Sequence, residues 1–143
     1  MKIYVDTSAY NRPFDDQTQP RIRLETHALL VVLRLVEAEA VELVSSSVLQ
    51  YENSRNPFAL RQQWVEYRLQ LAKHYQEVNT AIIARAKELE KQGLKTIDAL
   101  HIACAEAVSS QYFLTCDDRL IRRYQGSLNV INPVDFVLSI VGG

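Results

Sequence analysis

The sequence predicts an α/β fold, a single domain over residues 1–143 with a parallel sheet covered by helices on both faces. Three observations predict it. Short apolar runs of strand length recur at residues 3–5, 41–44, 112–114 and 128–131. Helical periodicity fills every interval between them, and strands separated by helices pair in parallel. The chain has 143 residues, 48% of them hydrophobic, enough to bury a core without disulfides or a structural metal.

The first run, Ile3, Tyr4 and Val5, stops on Asp6 in "MKIYVDTSAYNRPFDD". A polar stretch with Pro13 and Pro20 follows and reads as a loop. From Ile22 to about Ala40, Leu24, Ala28, Val31, Leu35 and Ala38 mark one side of a long packing helix. Val41 to Val44 form the second strand, and any of Ser45, Ser46 and Ser47 can cap the helix carrying Val48, Leu49, Tyr51 and Glu52. "NSRNP" closes that helix.

Leu60, Trp64, Tyr67, Leu71 and Tyr75 then recur at helical spacing from about Phe58. A turn near Val78 leads to a second helix through Ile82, Ile83, Ala86 and Leu89, stopped by Gly93. The two read as a paired helical insert whose stripe serves the core, a dimer surface or, through Trp64, a stacked ligand. Thr96 can cap a helix with Ile97, Leu100, Cys104, Ala107 and Val108 along one side. Strand Tyr112 to Leu114, a short helix in "TCDDRLIRRY", strand Leu128 to Ile131 and a helix opened by Pro133 complete the chain.

Composition narrows the functions open to this domain. The formal charge of -1 excludes the broad positive field of a protein that binds nucleic acid by bulk electrostatics, though not a local basic rim. Arg119, Arg122 and Arg123 form one cluster in sequence, and Arg55, Arg61 and Arg68 another. Two cysteines, Cys104 and Cys116, lack the spacing of a zinc site or a disulfide scaffold and read as reduced, partly buried thiols. No signal segment or membrane-length apolar run is visible, so a soluble, cytoplasmic protein with no membrane partner is expected.

Four carboxylates fall where such a fold gathers a site. Asp6 ends the first strand, Glu52 lies on the helix after the second, Asp98 occupies the first turn of the Thr96 helix, and Asp117 follows the strand ending at Thr115. Open α/β sheets bind ligands at the carboxyl ends of their strands. Each residue alone can be a cap or a solvent-facing side chain. Together they repel one another unless a cation intervenes, and an all-oxygen set selects Mg²⁺ or Mn²⁺ over zinc.

"YVDTSAY", "TIDALHIA" and "FLTCDDRLIRR" resemble the motifs of the PIN domain family, most closely its VapC-type toxin ribonucleases, and the likeness runs over nearly the whole chain. The resemblance implies a PIN-like three-layer α/β/α fold with four or five parallel strands and a projecting helical pair. It also implies a Mg²⁺- or Mn²⁺-dependent endoribonuclease that leaves 5′-phosphate and 3′-hydroxyl ends, a homodimer, and a cognate antitoxin as partner. The family's acidic positions match Asp6, Asp98 and Asp117, with Asp118 as a neighbour to the metal and Glu52 as the remaining carboxylate. Thr7, Ser8 and Thr115 match hydroxyl residues that orient the carboxylates or the metal's water.

Other roles follow from position. His101 lies three residues after Asp98, on the same helical side, and is expected to be structural or to sit behind the carboxylates. Asn11 and Arg12, in an extended first loop, either face the RNA or shape the loop, while Asp15 and Asp16 are expected to face solvent. Arg119 and Arg122 are candidates for a flanking phosphate, although helical phase does not bring all three arginines of that cluster to one place. Two other readings stay open: a catalytically silent RNA- or protein-binding module, and a metal-dependent DNA nuclease or phosphatase. Nothing in these residues reads a 2′-hydroxyl.

Overall fold

The sheet is five-stranded, all parallel, in the order β3-β2-β1-β4-β5. A computed structural model describes residues 1–141. In chain order the elements are β1 (Lys2–Val5), α1 (Thr7–Tyr10), a 3-10 turn (Arg12–Phe14), α2 (Pro20–Glu37), β2 (Glu42–Ser46), α3 (Ser47–Ser54), α4 (Ala59–Leu69) and β3 (His74–Gln76). Then come α5 (Thr80–Lys91), α6 (Thr96–Ala107), β4 (Tyr112–Leu114), α7 (Asp118–Arg123), β5 (Asn129–Ile131) and α8 (Pro133–Val141).

This order fixes the location of a site. From β1 the chain steps outward through β2 to β3, then returns across the sheet to β4 and steps the other way to β5. Because parallel crossovers are right-handed, the helices of the two halves cover opposite faces. The direction reverses between β1 and β4, where the helix-bearing loops part and leave a crevice at the strands' carboxyl ends. Asp6 and Thr115 are the first residues past those two strands. Backbone bonds hold them in step, Asp6 N–H donating to Leu114 O at 2.9 Å and Thr115 N–H to Ile131 O at 3.0 Å.

The core beneath is apolar and fully buried. Ile3, Tyr4, Val5, Leu43, Val44, Phe113 and Leu114 supply the sheet's share, with Leu29, Val32, Leu89, Ile102 and Phe136 from the helices. Tyr4 stacks on Phe113 with ring centroids 5.1 Å apart. Cys104 and Cys116 are buried free thiols, pushed by burial up to about 11 and about 12. No described helix is long and apolar enough to cross a membrane.

Several local expectations are corrected. The second strand is Glu42–Ser46 rather than 41–44, and Ser46 is the residue whose hydroxyl caps α3, accepting from Leu49 N–H at 3.1 Å. Thr96 is the first residue of α6, not its cap; extended Lys95 holds that position. Gly93, at φ +96°, ends the segment after α5 as expected, in a conformation that favours glycine. The helix after Pro20 buries Glu25, Leu29, Val32 and Val36, whereas Leu24 and Val31 of the expected stripe are exposed. The unbroken apolar run from Ala28 to Leu33 permits either phase. Glu25, drawn inward by arginines, selects this one.

The larger correction concerns the helical insert. Tyr75 lies not on a helix but in β3, which pairs with β2 through Ser45 and Tyr75. The helical pair is therefore α3 with α4 rather than α4 with α5, and α5 packs along α6 instead. A reciprocal amide clasp joins the pair: Asn53 Nδ2 donates to Gln62 O at 3.0 Å, and Gln62 Nε2 to Asn53 O at 3.1 Å. On α4, Val65 and Leu69 are buried, but Leu60 and Tyr67 of the expected stripe are exposed. Trp64 is half-buried, edge-on to Phe14 with Arg68 over its ring.

Candidate metal centre

Asp6 is nearly buried, and its geometry follows from the two strands that flank it. Its Oδ2 accepts from Thr115 Oγ1 at 2.8 Å, across the β1/β4 junction, and from Ser8 Oγ at 3.1 Å. The Thr115 hydroxyl also accepts from Asp117 N–H at 3.1 Å, and Ser8 Oγ from Cys116 N–H at 3.2 Å. These small hydroxyl groups thus tie the turn after β1 to the turn after β4. Asp6 Oδ1 has no hydrogen-bond partner among the described residues.

Glu52 arrives from α3 and is held the same way. Its Oε1 accepts from Thr7 Oγ1 at 2.6 Å and lies 2.5 Å from His101 Nε2. His101 is buried on α6, and its Nδ1 meets the Tyr4 hydroxyl at 2.6 Å, which in turn meets Ser46 Oγ at 2.7 Å. Burial disfavours the imidazolium, yet the bond to Glu52 and the charges of Asp6, Glu52 and Asp98 outweigh it and hold the His101 pKa above its ordinary value. Glu52 responds in kind: burial pushes its pKa up, but His101 and Thr7 bring it below the usual value.

One ligating atom from each of Asp6, Glu52 and His101 lies within 4.8 Å of the others. Both His101 nitrogens are engaged, by Tyr4 and Glu52, so neither is turned free toward a metal. His101 therefore acts as the strut of Glu52, and the ligating atoms are carboxylate oxygens.

Asp98 completes the cluster from the first turn of α6 and Asp117 from the cap of α7. Asp117 Oδ1 accepts from Arg119 N–H at 2.9 Å and Leu120 N–H at 3.4 Å, so the expected capping role is real and occupies one oxygen. Asp98 makes no hydrogen bond among the described residues. Burial, then the charges of Asp6 and Asp117, push it up to about 6, with His101 and Lys95 offsetting part of the rise. Asp98 and Asp117 also line one shallow pocket with Lys95, Arg119 and Arg123.

A shared pattern emerges. Asp6, Glu52 and Asp117 each give one oxygen to a protein donor and leave the other free, while Asp98 leaves both. Four carboxylates gathered beside a single histidine crowd like charges together. The free donors are all hard oxygens, the set that fits Mg²⁺ or Mn²⁺.

Not every expected residue joins this centre. Asp118 points to Arg21, whose Nη1 and Nη2 donate to its two oxygens at 2.7 and 2.8 Å, so it is not placed beside the metal ligands. Arg12 donates to Glu25 at 2.8 Å and Asp15 at 2.9 Å, which makes it a loop-shaping ion pair and leaves Asp15 half-buried rather than solvent-facing. Arg122 is exposed on the Asp118 side of α7, away from the pocket that holds Arg119. Asn11 donates to Thr7 O at 3.1 Å and lines a cleft that also includes Glu52. Tyr4 was not anticipated: an apolar strand gives no sign that a tyrosine in it turns its hydroxyl toward a histidine nearly a hundred residues on.

Comparison with known proteins agrees with this architecture. No curated protein matches the chain. Among solved structures it is similar to VapBC2 from Rickettsia felis, a complex bound to a DNA fragment from its promoter, with a TM-score of 0.59, 16% identity and coverage of 92% of this chain and 98% of that one. It is also similar to PAE2754 from Pyrobaculum aerophilum, with a TM-score of 0.61, 16% identity and coverage of 100% and 91%. At that identity the likeness is one of fold. The PIN domain family model matches residues 3–126, four of the five strands and every carboxylate of the cluster, and the chain belongs to the PIN domain family.

Proposed function

We propose that the protein is a Mg²⁺- or Mn²⁺-dependent endoribonuclease that hydrolyses RNA phosphodiester bonds, and that it serves as the toxin of a toxin–antitoxin pair. The observation that carries the reading is Asp98, whose carboxyl is raised to about 6 by burial and by Asp6 and Asp117. A protein gains nothing in stability from such crowding. A cation held by the free oxygens of Asp6, Asp98 and Asp117 would relieve it.

When bound, the ion polarises a phosphoryl oxygen and makes water a stronger nucleophile. The protein's own groups do the rest. Glu52, fixed through Oε1 by Thr7 and His101, keeps Oε2 ionised and free to take a proton from the attacking water. Thr115 and Ser8 aim Asp6, and the α7 cap aims Asp117. Lys95 and Arg119 meet a phosphate flanking the cut and offset the acidic cleft. The products carry 5′-phosphate and 3′-hydroxyl ends.

Support for the partner reading is the fold shared with VapBC2 from Rickettsia felis, a toxin–antitoxin complex by name. The protein acts in the cytoplasm as a homodimer, restrained by a cognate antitoxin. The test is cleavage of labelled structured RNA and of DNA of the same sequence, with EDTA, Mg²⁺ or Mn²⁺, beside Asp6→Asn and Asp98→Asn. Metal-dependent RNA cutting that both substitutions abolish is expected. Cutting that persists in both variants, or that prefers DNA, overturns the reading.

A further inference from the structure

A chain of buried hydrogen bonds runs through the apolar core and surfaces at Glu52. It starts at Ser46, whose hydroxyl accepts from Leu49 N–H at 3.1 Å and so opens α3. The same Ser46 oxygen lies 2.7 Å from the Tyr4 hydroxyl, which lies 2.6 Å from His101 Nδ1, and His101 Nε2 lies 2.5 Å from Glu52 Oε1. Glu52 is on α3 again, so the chain begins and ends on one helix and passes through β1 and α6 in between. Ser46, Tyr4 and His101 are buried, whereas 26% of the Glu52 side chain is exposed, which makes it the end that meets the crevice.

Packing alone does not call for this chain. The Tyr4 ring stacks on Phe113 and meets the His101 ring edge-on, with centroids 5.1 and 5.7 Å away, contacts that a phenylalanine would keep. Its hydroxyl brings a polar group into the core, which costs free energy unless it is hydrogen-bonded. Tyr10 is the bland counterpart: its ring is as deeply buried, and its hydroxyl has no hydrogen-bond partner among the described residues. The Tyr4 hydroxyl instead sits between two polar atoms and can donate to one while accepting from the other, in either direction. What it governs is the orientation of the His101 ring. Rotation of an imidazole about its last side-chain bond is soft, so the edge that faces Glu52 is set by what holds the opposite nitrogen. Thr7 adds a second bond to the same Glu52 oxygen at 2.6 Å. With Oε1 doubly held, Oε2 is the oxygen left free.

We infer that Tyr4 is a positioning residue for Glu52: acting through His101, its hydroxyl fixes the carboxylate by Oε1 and leaves Oε2 free. In its kinetic part the inference rests on the nuclease reading. It adds to that reading a residue that is fully buried in β1 and out of reach of any substrate, yet on which the use of Glu52 depends. Asp6 is aimed by Thr115 and Ser8 instead, and Asp117 by the cap of α7. Loss of the Tyr4 hydroxyl is therefore felt in turnover rather than in metal affinity.

The experiment compares Tyr4→Phe with Tyr10→Phe, which removes an unpartnered tyrosine hydroxyl, and with Glu52→Gln, alone and combined with Tyr4→Phe. The first readout is magnetic resonance of metal-free protein carrying isotope-labelled histidine. A carboxylate only accepts, so His101 Nε2 carries the proton that meets Glu52, and its signal is assigned by its absence from His101→Gln. That proton is expected to exchange with water about tenfold faster in Tyr4→Phe, the worth of one hydrogen bond, and at the wild-type rate in Tyr10→Phe. The second readout is cleavage of labelled RNA in Mg²⁺. Tyr4→Phe is expected to lower kcat about tenfold with KM and the Mg²⁺ dependence unchanged, and to cost nothing more in the Glu52→Gln background, because the two residues act as a unit. A tyrosine that serves only the core lowers the melting temperature and gives a loss that multiplies with that of Glu52→Gln. That multiplied loss, an unchanged kcat, an unchanged ring exchange, no Nε2–H signal in the wild type, or a Tyr4→Phe chain that does not fold overturns the inference. Cutting by the wild type, scored separately, reports on the nuclease reading. Faster ring exchange in Tyr4→Phe without metal-dependent cutting by the wild type sinks the nuclease alone, and metal-dependent cutting with Tyr4→Phe equal to the wild type sinks the positioning role alone.

Discussion

Two buried acidic centres in this molecule have opposite fates. Glu25, on α2, meets Arg12 at 2.8 Å, Arg21 at 3.2 Å and Asn132 Nδ2 at 2.5 Å. Although burial works against its charge, these partners hold its carboxyl below the usual range. At the β1/β4 crevice, Asp98 has carboxylates for neighbours and is raised instead. The first centre closes its own charge account and fastens the first loop, α2 and the start of α8 together. The second leaves charge unmatched, and unmatched charge at a crevice marks function. The difference also explains why Asp118 does not join the metal centre and why Arg12 shapes the loop, because both belong to the Glu25 side.

The largest effect expected from breaking this contrast is at Asp98. Asp98→Asn should lower metal-dependent cleavage about a hundredfold or more. In EDTA the same variant should melt no lower than the wild type, since it removes repulsion. A thermal melt beside the cleavage assay checks both. Glu25→Gln should do the reverse, costing about 3 kcal/mol in a urea melt because it leaves two arginines facing a neutral amide.

The pH dependence separates the two centres further. A carboxyl raised by folding stabilises the folded state below its unfolded pKa and loses that contribution as pH rises through about 6. Metal-free protein should therefore gain stability from Asp98 as pH falls from 7 toward 4. Glu25, lowered by folding, contributes above its unfolded pKa and loses that contribution as pH falls through its folded one. Melts in EDTA from pH 7.5 to 4 should show the Asp98 gain in the wild type and not in Asp98→Asn. Saturating Mg²⁺ should reverse its sign, because the ion binds the ionised form.

Smaller effects refine the picture. Thr115→Val removes the donor that aims Asp6 and should weaken Mg²⁺ binding about tenfold, read by calorimetry. Asp118→Asn, exposed and paired with Arg21, should leave cleavage and metal affinity unchanged. A loss of metal binding in that variant would move Asp118 to the acidic centre.

Much of this was legible in the sequence for identifiable reasons. Strands β1, β4 and β5 read correctly because each is a short apolar run between turns, and Asp6, Asp98 and Asp117 sit at element ends that the motifs mark. Strand β3 was missed because Tyr75 continues the four-residue spacing of Tyr67 and Leu71, and a three-residue strand has too few positions to contradict a helical period. The phase of α2 was misread because its deciding residue is a buried glutamate, which only partners distant in sequence make tolerable. Asp118 was misplaced for the same reason, and of the two readings left open for Arg12 the loop-shaping one holds. A charged side chain's partner is a tertiary fact, and position in the chain does not reveal it.

The amide clasp between α3 and α4 has a mechanical side. Glu52 immediately precedes Asn53, so a carboxylate of the acidic cluster shares a turn of helix with the latch that holds Gln62. An outward shift of α4 pulls on that latch, and the strain falls on the α3 turn that seats Glu52 on Thr7 and His101.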